Sequence, residues 1–188
     1  MYICKIAIKR HFKMLRKLFV DICYLLKMKI VFIQTGGTID KDYPHTTKGW
    51  AFEFGEPATH RILEKLNPSF EYEVLTSCQK DSLEITEEDR ANLFYLIQNH
   101  EERKFIITHG TDTMLETAAY LRKRIKDKLI IITGSMRPER FSNSEAPINL
   151  GCAIATANLM KKGVFIAMHG IVKKNSEIKR NLNTGKYF

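Results

Sequence analysis

From Lys29 onward, short β-rich apolar runs alternate with amphipathic stretches, and this alternation sets the expected fold. Residues 30–34 read as a buried strand that delivers the turn Thr35-Gly36-Gly37-Thr38. Residues 58–66 read as a short helix closed by Asn67-Pro68, and 71–77 alternate like a strand with Tyr72, Val74 and Thr76 on one face. A helix starts at Thr86, which forms an approximate capping box with Asp89; its apolar stripe is expected at Ala91, Phe94, Tyr95 and Ile97. Residues 105–108 are a second buried strand, followed by His109-Gly110-Thr111-Asp112. Thr113 to Glu116 reads as a better capping box, opening a helix through about Lys123. Residues 129–133 form the next strand, ending at Gly134-Ser135-Met136-Arg137-Pro138; a helix over roughly 144–160 and a last clear strand at 164–168 follow.

Strands separated by helices imply right-handed crossovers and a mostly parallel sheet with both faces covered. The expected fold is therefore α/β, a three-layer (α/β/α) Rossmann-like sheet over residues 28–188. No internal repeat or low-complexity stretch interrupts it.

Composition changes this picture little. A chain of 188 residues, 44% hydrophobic and 27% charged, suits one domain with a core large enough to need no disulfide or metal. Cys4, Cys23, Cys78 and Cys152 show no CxxC or zinc-ligand spacing and read as separate reduced thiols, which points to the cytoplasm. The histidines make no HxxxH-type pair either, so no metal site is expected.

The net charge of +9 raises nucleic acid as a partner, but the excess is uneven. Residues 1–27 carry seven basic side chains against Asp21, leaving only +3 for residues 28–188, where the signs are interspersed as on a solvated face. No nucleic-acid partner is expected. Met14, Leu15, Leu18, Phe19, Ile22, Leu25 and Leu26 fall at helical spacing among lysines and arginines, a pattern compatible with a membrane-surface helix. The longest apolar run there, residues 22–26, is too short to span a bilayer or to serve as a signal-peptide core. The favoured reading of 1–27 is an appendage, or an upstream stretch ahead of a start at Met28.

Three strand-end turns carry the candidate chemistry. In an open parallel sheet, ligands bind in the crevice outside the carboxyl ends of the strands. The turns at Thr38, at Thr111-Asp112 and at Ser135 should converge there, joining hydroxyls, a carboxylate and glycine-freed N–H groups. Such a cleft suits acyl transfer by hydroxyl attack, with backbone amides near Gly37 holding the oxyanion. Each piece alone has a plainer explanation: Gly-Gly makes tight turns and threonine caps helices, as Thr113 is expected to do.

Read whole, Gln34-Thr35-Gly36-Gly37-Thr38-Ile39 resembles the first signature of the bacterial asparaginase/glutaminase family. Ile107-Thr108-His109-Gly110-Thr111-Asp112-Thr113-Met114 resembles the second, and Thr133-Gly134-Ser135-Met136-Arg137-Pro138 with Asn149-Leu150 resembles the segment that follows. The resemblance runs from about Lys29 to the C-terminus and implies the fold of that family's N-terminal domain. It implies hydrolysis of L-asparagine to L-aspartate and ammonia without metal or organic cofactor, with Thr38 as nucleophile and Thr111 as a second catalytic hydroxyl. Asp112 would hold the substrate's α-amino group and Ser82, beside Asp81, its α-carboxylate. Tyr43 is the match for a loop tyrosine, while Gly37, Gly110 and Ser135 line the approach. Glutamine is a second substrate on this reading, because one methylene gives only about 1–3 kcal/mol of discrimination.

Two departures accompany the resemblance. The family's catalytic lysine is expected between the third signature's helix and the next strand, where an ungapped match puts Met160; Lys161 or Lys162 would have to substitute, or the lysine is missing. The longer enzymes also carry a C-terminal domain, and a neighbouring subunit completes their site. This chain resembles a short single-domain form, expected as a homodimer or homotetramer, and residues 179–185 read as a finished terminus. The rival readings are a non-catalytic amino-acid-binding module of the same fold, and a membrane- or nucleic-acid-associated protein driven by residues 1–27.

Overall fold

Ile30, Val31, Phe32 and Ile33 are all essentially inaccessible to solvent, so the first strand is covered on both faces. A computed structural model describes residues 28–43 and 52–188. The elements are β1 (Lys29–Gly36), β2 (Lys41–Asp42), β3 (Glu53–Phe54), α1 (Ala58–Leu66), β4 (Glu71–Lys80), α2 (Glu87–Asn99), β5 (Lys104–Thr108), α3 (Met114–Arg124), β6 (Leu129–Thr133), α4 (Ala146–Leu159), β7 (Gly163–Met168) and β8 (Ile171–Lys174). Short 3-10 turns cover Thr38–Asp40 and Ser82–Glu84. The basic extension and its expected helix lie outside the described residues.

The main sheet runs β4-β1-β5-β6-β7-β8, parallel throughout except for β8, which pairs antiparallel with β7. Alternate side chains build two cores. Val31, Ile33, Phe105, Ile107, Ile130, Ile132 and Ile166 pack with α2 and α3 residues Leu93, Ile97, Ala118 and Leu121. Ile30, Phe32, Ile106, Leu129, Ile131 and Phe165 pack with α1 and α4 residues Ile62, Leu63, Leu150 and Ala153. This is the expected three-layer arrangement, and each buried Ile, Leu or Phe contributes about 1.5–3 kcal/mol.

The crossover from β1 leads to one side, through α1 to β4, while those from β5 and β6 lead to the other, through α3 and α4. The direction of winding therefore reverses between β1 and β5, whose carboxyl ends flank a topological switch point.

Local signals explain most boundaries. Asn67 ends α1 in the left-handed conformation at φ 47°, and Thr86 with Asp89 makes a reciprocal capping box on α2. Two expectations are corrected. The buried face of α2 is Arg90, Leu93 and Ile97, whereas Tyr95 is exposed; Arg90 is taken inside because its Nε donates to the buried Thr117 hydroxyl. Thr113 occupies the cap position of α3 without capping it, since its hydroxyl donates to Ser82 O at 2.6 Å. Two features carry no strong sequence signal: β8 and a C-terminal hairpin. Lys179 and Phe188 exchange two backbone hydrogen bonds, and Asn181 N–H donates to Lys186 O.

Candidate functional site

Glycines bring the turns together. Gly36 and Gly37 hold φ values of 101° and 83°, a region that L side chains rarely enter, and Gly37 N–H donates to Lys80 O at 3.0 Å. A Cβ on Gly37 would lie 2.3 Å from Gly110 N and 2.4 Å from its Cα. A Cβ on Gly110 would meet Ser82 Cβ at 2.7 Å, and one on Gly134 would meet His109 O at 2.3 Å. The turns after β1, β4, β5 and β6 are thus in direct contact at the carboxyl edge, around the switch point.

Thr38 and Thr111 follow the two touching glycines. Thr38 is half-buried and Thr111 buried, and neither hydroxyl has a hydrogen-bond partner among the described residues. Neighbouring threonines are committed to structure: Thr35 Oγ1 donates to Thr108 O, and Thr108 Oγ1 to Asp40 Oδ2. Ser82 is buried and its Oγ accepts Asp112 N–H at 3.2 Å, so its own proton remains available. Asp81, beside it, pairs with Lys41 at 2.9 Å. Ser135 is fully buried and donates to Arg137 O, while Gly134 O accepts from Asn149.

Asp112 is half exposed, and its Oδ1 receives Arg180 Nη1 at 2.8 Å. The same nitrogen donates to Thr111 O at 3.0 Å, and Tyr187 Oη donates to that carbonyl at 2.7 Å. Burial pushes the Tyr187 phenol up to about 12, so it remains a donor. Arg180 and Tyr187 sit opposite each other in the C-terminal hairpin. Nothing at these positions in the sequence signals this, because Arg180 lies 68 residues beyond Asp112.

Two buried titratable groups brace the turns from behind. Asp40 accepts Ala58 N–H at 2.7 Å at the start of α1, and burial pushes its carboxyl up to about 6. His109 is fully buried between Gly110 O, at 2.8 Å from Nδ1, and Thr117 Oγ1, at 2.9 Å from Nε2; burial lowers its imidazole to about 4. The neutral ring therefore donates from Nδ1 and accepts at Nε2.

The remaining expected residues fall in two places. Tyr43 is largely exposed beside the first turn, with its ring against Phe52 at 5.1 Å and Phe141 at 6.1 Å. Lys161 is not brought to the site. It lies in the exposed loop preceding β7, at the edge where the parallel strands begin, about 20 Å of strand from the turns. A groove lined by Met28, Leu66, Phe70, Ile154 and Asn158 also lies at that far edge.

Comparison with known proteins places the fold. A glutaminase-asparaginase from Acinetobacter glutaminasificans is 27% identical over 168 residues, covering 84% of this chain and 51% of that protein. An L-asparaginase 2 from Escherichia coli is 37% identical over 84 residues, 43% of this chain and 24% of its own. The thermostable L-asparaginase from Thermococcus kodakarensis superposes with a TM-score of 0.70 at 26% identity, over 83% of this chain and 50% of that one. The chain thus spans about half the length of these relatives or less. A glutamyl-tRNA(Gln) amidotransferase component from Methanosarcina barkeri is also similar, at 30% identity over 148 residues, 76% of this chain and 34% of its own. Residues 29–185 match the family described as "Asparaginase, N-terminal", and the chain belongs to that family.

Proposed function

We propose that this chain hydrolyses the side-chain amide of L-asparagine to L-aspartate and ammonia, with L-glutamine as a second substrate. The observation that carries the reading is the contact between Gly37 and Gly110, which puts two unengaged threonine hydroxyls on adjoining turns at the switch point.

Thr38 Oγ1 attacks the amide carbon, forming a C–O bond. Its proton passes to the amide nitrogen as the C–N bond breaks, and ammonia leaves. Water then cleaves the ester, releasing the carboxylic acid and returning a proton to Thr38. The oxyanion needs fixed donors. Gly37 N–H is taken by Lys80 O, but the N–H groups of Thr38 and Thr111 have no acceptor among the described residues and serve this purpose. Thr111 assists proton movement. Asp112 Oδ2 has no partner among the described residues and takes the substrate's ammonium, and the Ser82 hydroxyl proton meets its carboxylate.

The test is ammonia release from asparagine and from glutamine by the full chain, Thr38→Ala and Thr111→Val. Each variant should lose at least about 10³-fold in kcat, the scale of removing a nucleophile or its partner. Variants that match the parent rate would refute the assignment.

A further inference from the structure

We propose that Arg180 is the positioning cation of this site, and that the site works without an amine base at that position. The inference rests on the proposed amide hydrolysis. Three observations support it. The guanidinium bridges Asp112 Oδ1 and Thr111 O through one nitrogen, at 2.8 and 3.0 Å. Its side chain is 13% exposed, and Nε is buried without a hydrogen-bond partner among the described residues. The hairpin that carries it is anchored by buried Ile178 and Tyr187, and Tyr187 grips the same carbonyl. A cation held this firmly, next to the residue that bears the second hydroxyl, fixes both the Thr111 peptide and the rotamer of Asp112.

The chemistry of the group sets its limits. A guanidinium has five N–H donors and no acceptor, so it cannot take a proton from Thr111 as a neutral amine could. Arg180 therefore acts on Thr111 through the field and through geometry. The proton of the second hydroxyl has to move by way of substrate or water. The arrangement also leaves Asp112 half neutralised, so removing the cation should strengthen its hold on an ammonium while weakening turnover.

The experiment measures kcat and KM for ammonia release between about pH 6 and pH 10 for the parent, Arg180→Lys, Arg180→Met and Thr38→Ala, with melting temperatures for each. Arg180→Met is expected to lose about 10²-fold in kcat with KM unchanged or lower, the scale of deleting one preorganised donor. A merely structural lesion would raise KM and lower the melting temperature together. Arg180→Lys is expected to recover turnover near neutral pH and to gain an alkaline inflection that the parent lacks. Arg180→Met with the parent's kcat, or Arg180→Lys with a pH profile superposable on the parent's, would overturn the inference while leaving the hydrolytic reading intact. A parent no more active than Thr38→Ala would overturn the hydrolytic reading itself, and this inference with it.

Discussion

Gly37 lies against Gly110 so closely that a methyl group on the first would sit 2.3 Å from the backbone nitrogen of the second. This contact joins the turn that carries Thr38 to the one that carries Thr111. Gly37→Ala forces a side chain into φ 83°, ψ 179°, a glycine region, and adds the clash; each is worth about 1–3 kcal/mol. Urea denaturation should show a loss of at least about 2 kcal/mol, and ammonia release should fall further than stability does. A variant with parental midpoint and rate would show that the turns are not packed as described.

Asp40 and His109 should oppose each other in acid. Asp40 titrates near 6 in the fold against an ordinary 3.8, so the folded state holds the proton more tightly and gains stability as pH falls through that window. His109 titrates near 4 against 6.5, so the unfolded state binds the proton first and the fold loses stability as pH falls from about 6.5 to 4. Each term is on the order of 3 kcal/mol at its limit, and between pH 6 and 4 they nearly cancel. Relative to the parent, Asp40→Asn should become less stable as pH drops and His109→Gln more stable. Unfolding free energies at about pH 4.5 and 7 check both signs; parallel curves for all three proteins would contradict the burial argument.

Lys161 and Lys162 stand in solvent at the far edge of the sheet. Replacing both by alanine should change stability by no more than about 0.5 kcal/mol and leave ammonia release at the parental rate. A tenfold fall in kcat would place a lysine at the site after all.

Tyr43 combines packing with a hydroxyl beside the first turn. Its ring meets Phe52 and Phe141, so Tyr43→Phe should keep the parental melting temperature. If the hydroxyl serves the reaction, kcat drops by about 10-fold or more in that variant. Equal rates would assign Tyr43 to the aromatic cluster alone, and Tyr43→Ala would then show a loss of stability instead.

The parallel core was legible because each central strand is an apolar run that ends at a glycine-bearing turn. Residues 58–66 and the Thr86–Asp89 box were legible for similarly local reasons. What escaped the sequence depended on distant partners. The α2 stripe is phased differently because Arg90, a charge, is paired inside with Thr117. β8 is hidden because Val172, Lys173 and Lys174 are exposed on an edge strand and show no buried-strand pattern. The cation beside Asp112 comes from neither Met160 nor its neighbours, and spacing alone cannot show that a hairpin near residue 180 folds back across the sheet's end.

That hairpin gives the molecule an order of completion. Every strand of the parallel sheet precedes residue 180, so the counter-ion of Asp112 is synthesised after all the strands whose turns form the cleft. Tyr187 ties the two together, because it packs in the core under the sheet and grips the Thr111 carbonyl that Arg180 also holds. Closing that hydrophobic layer and balancing the charge of the cleft are therefore completed by one and the same segment.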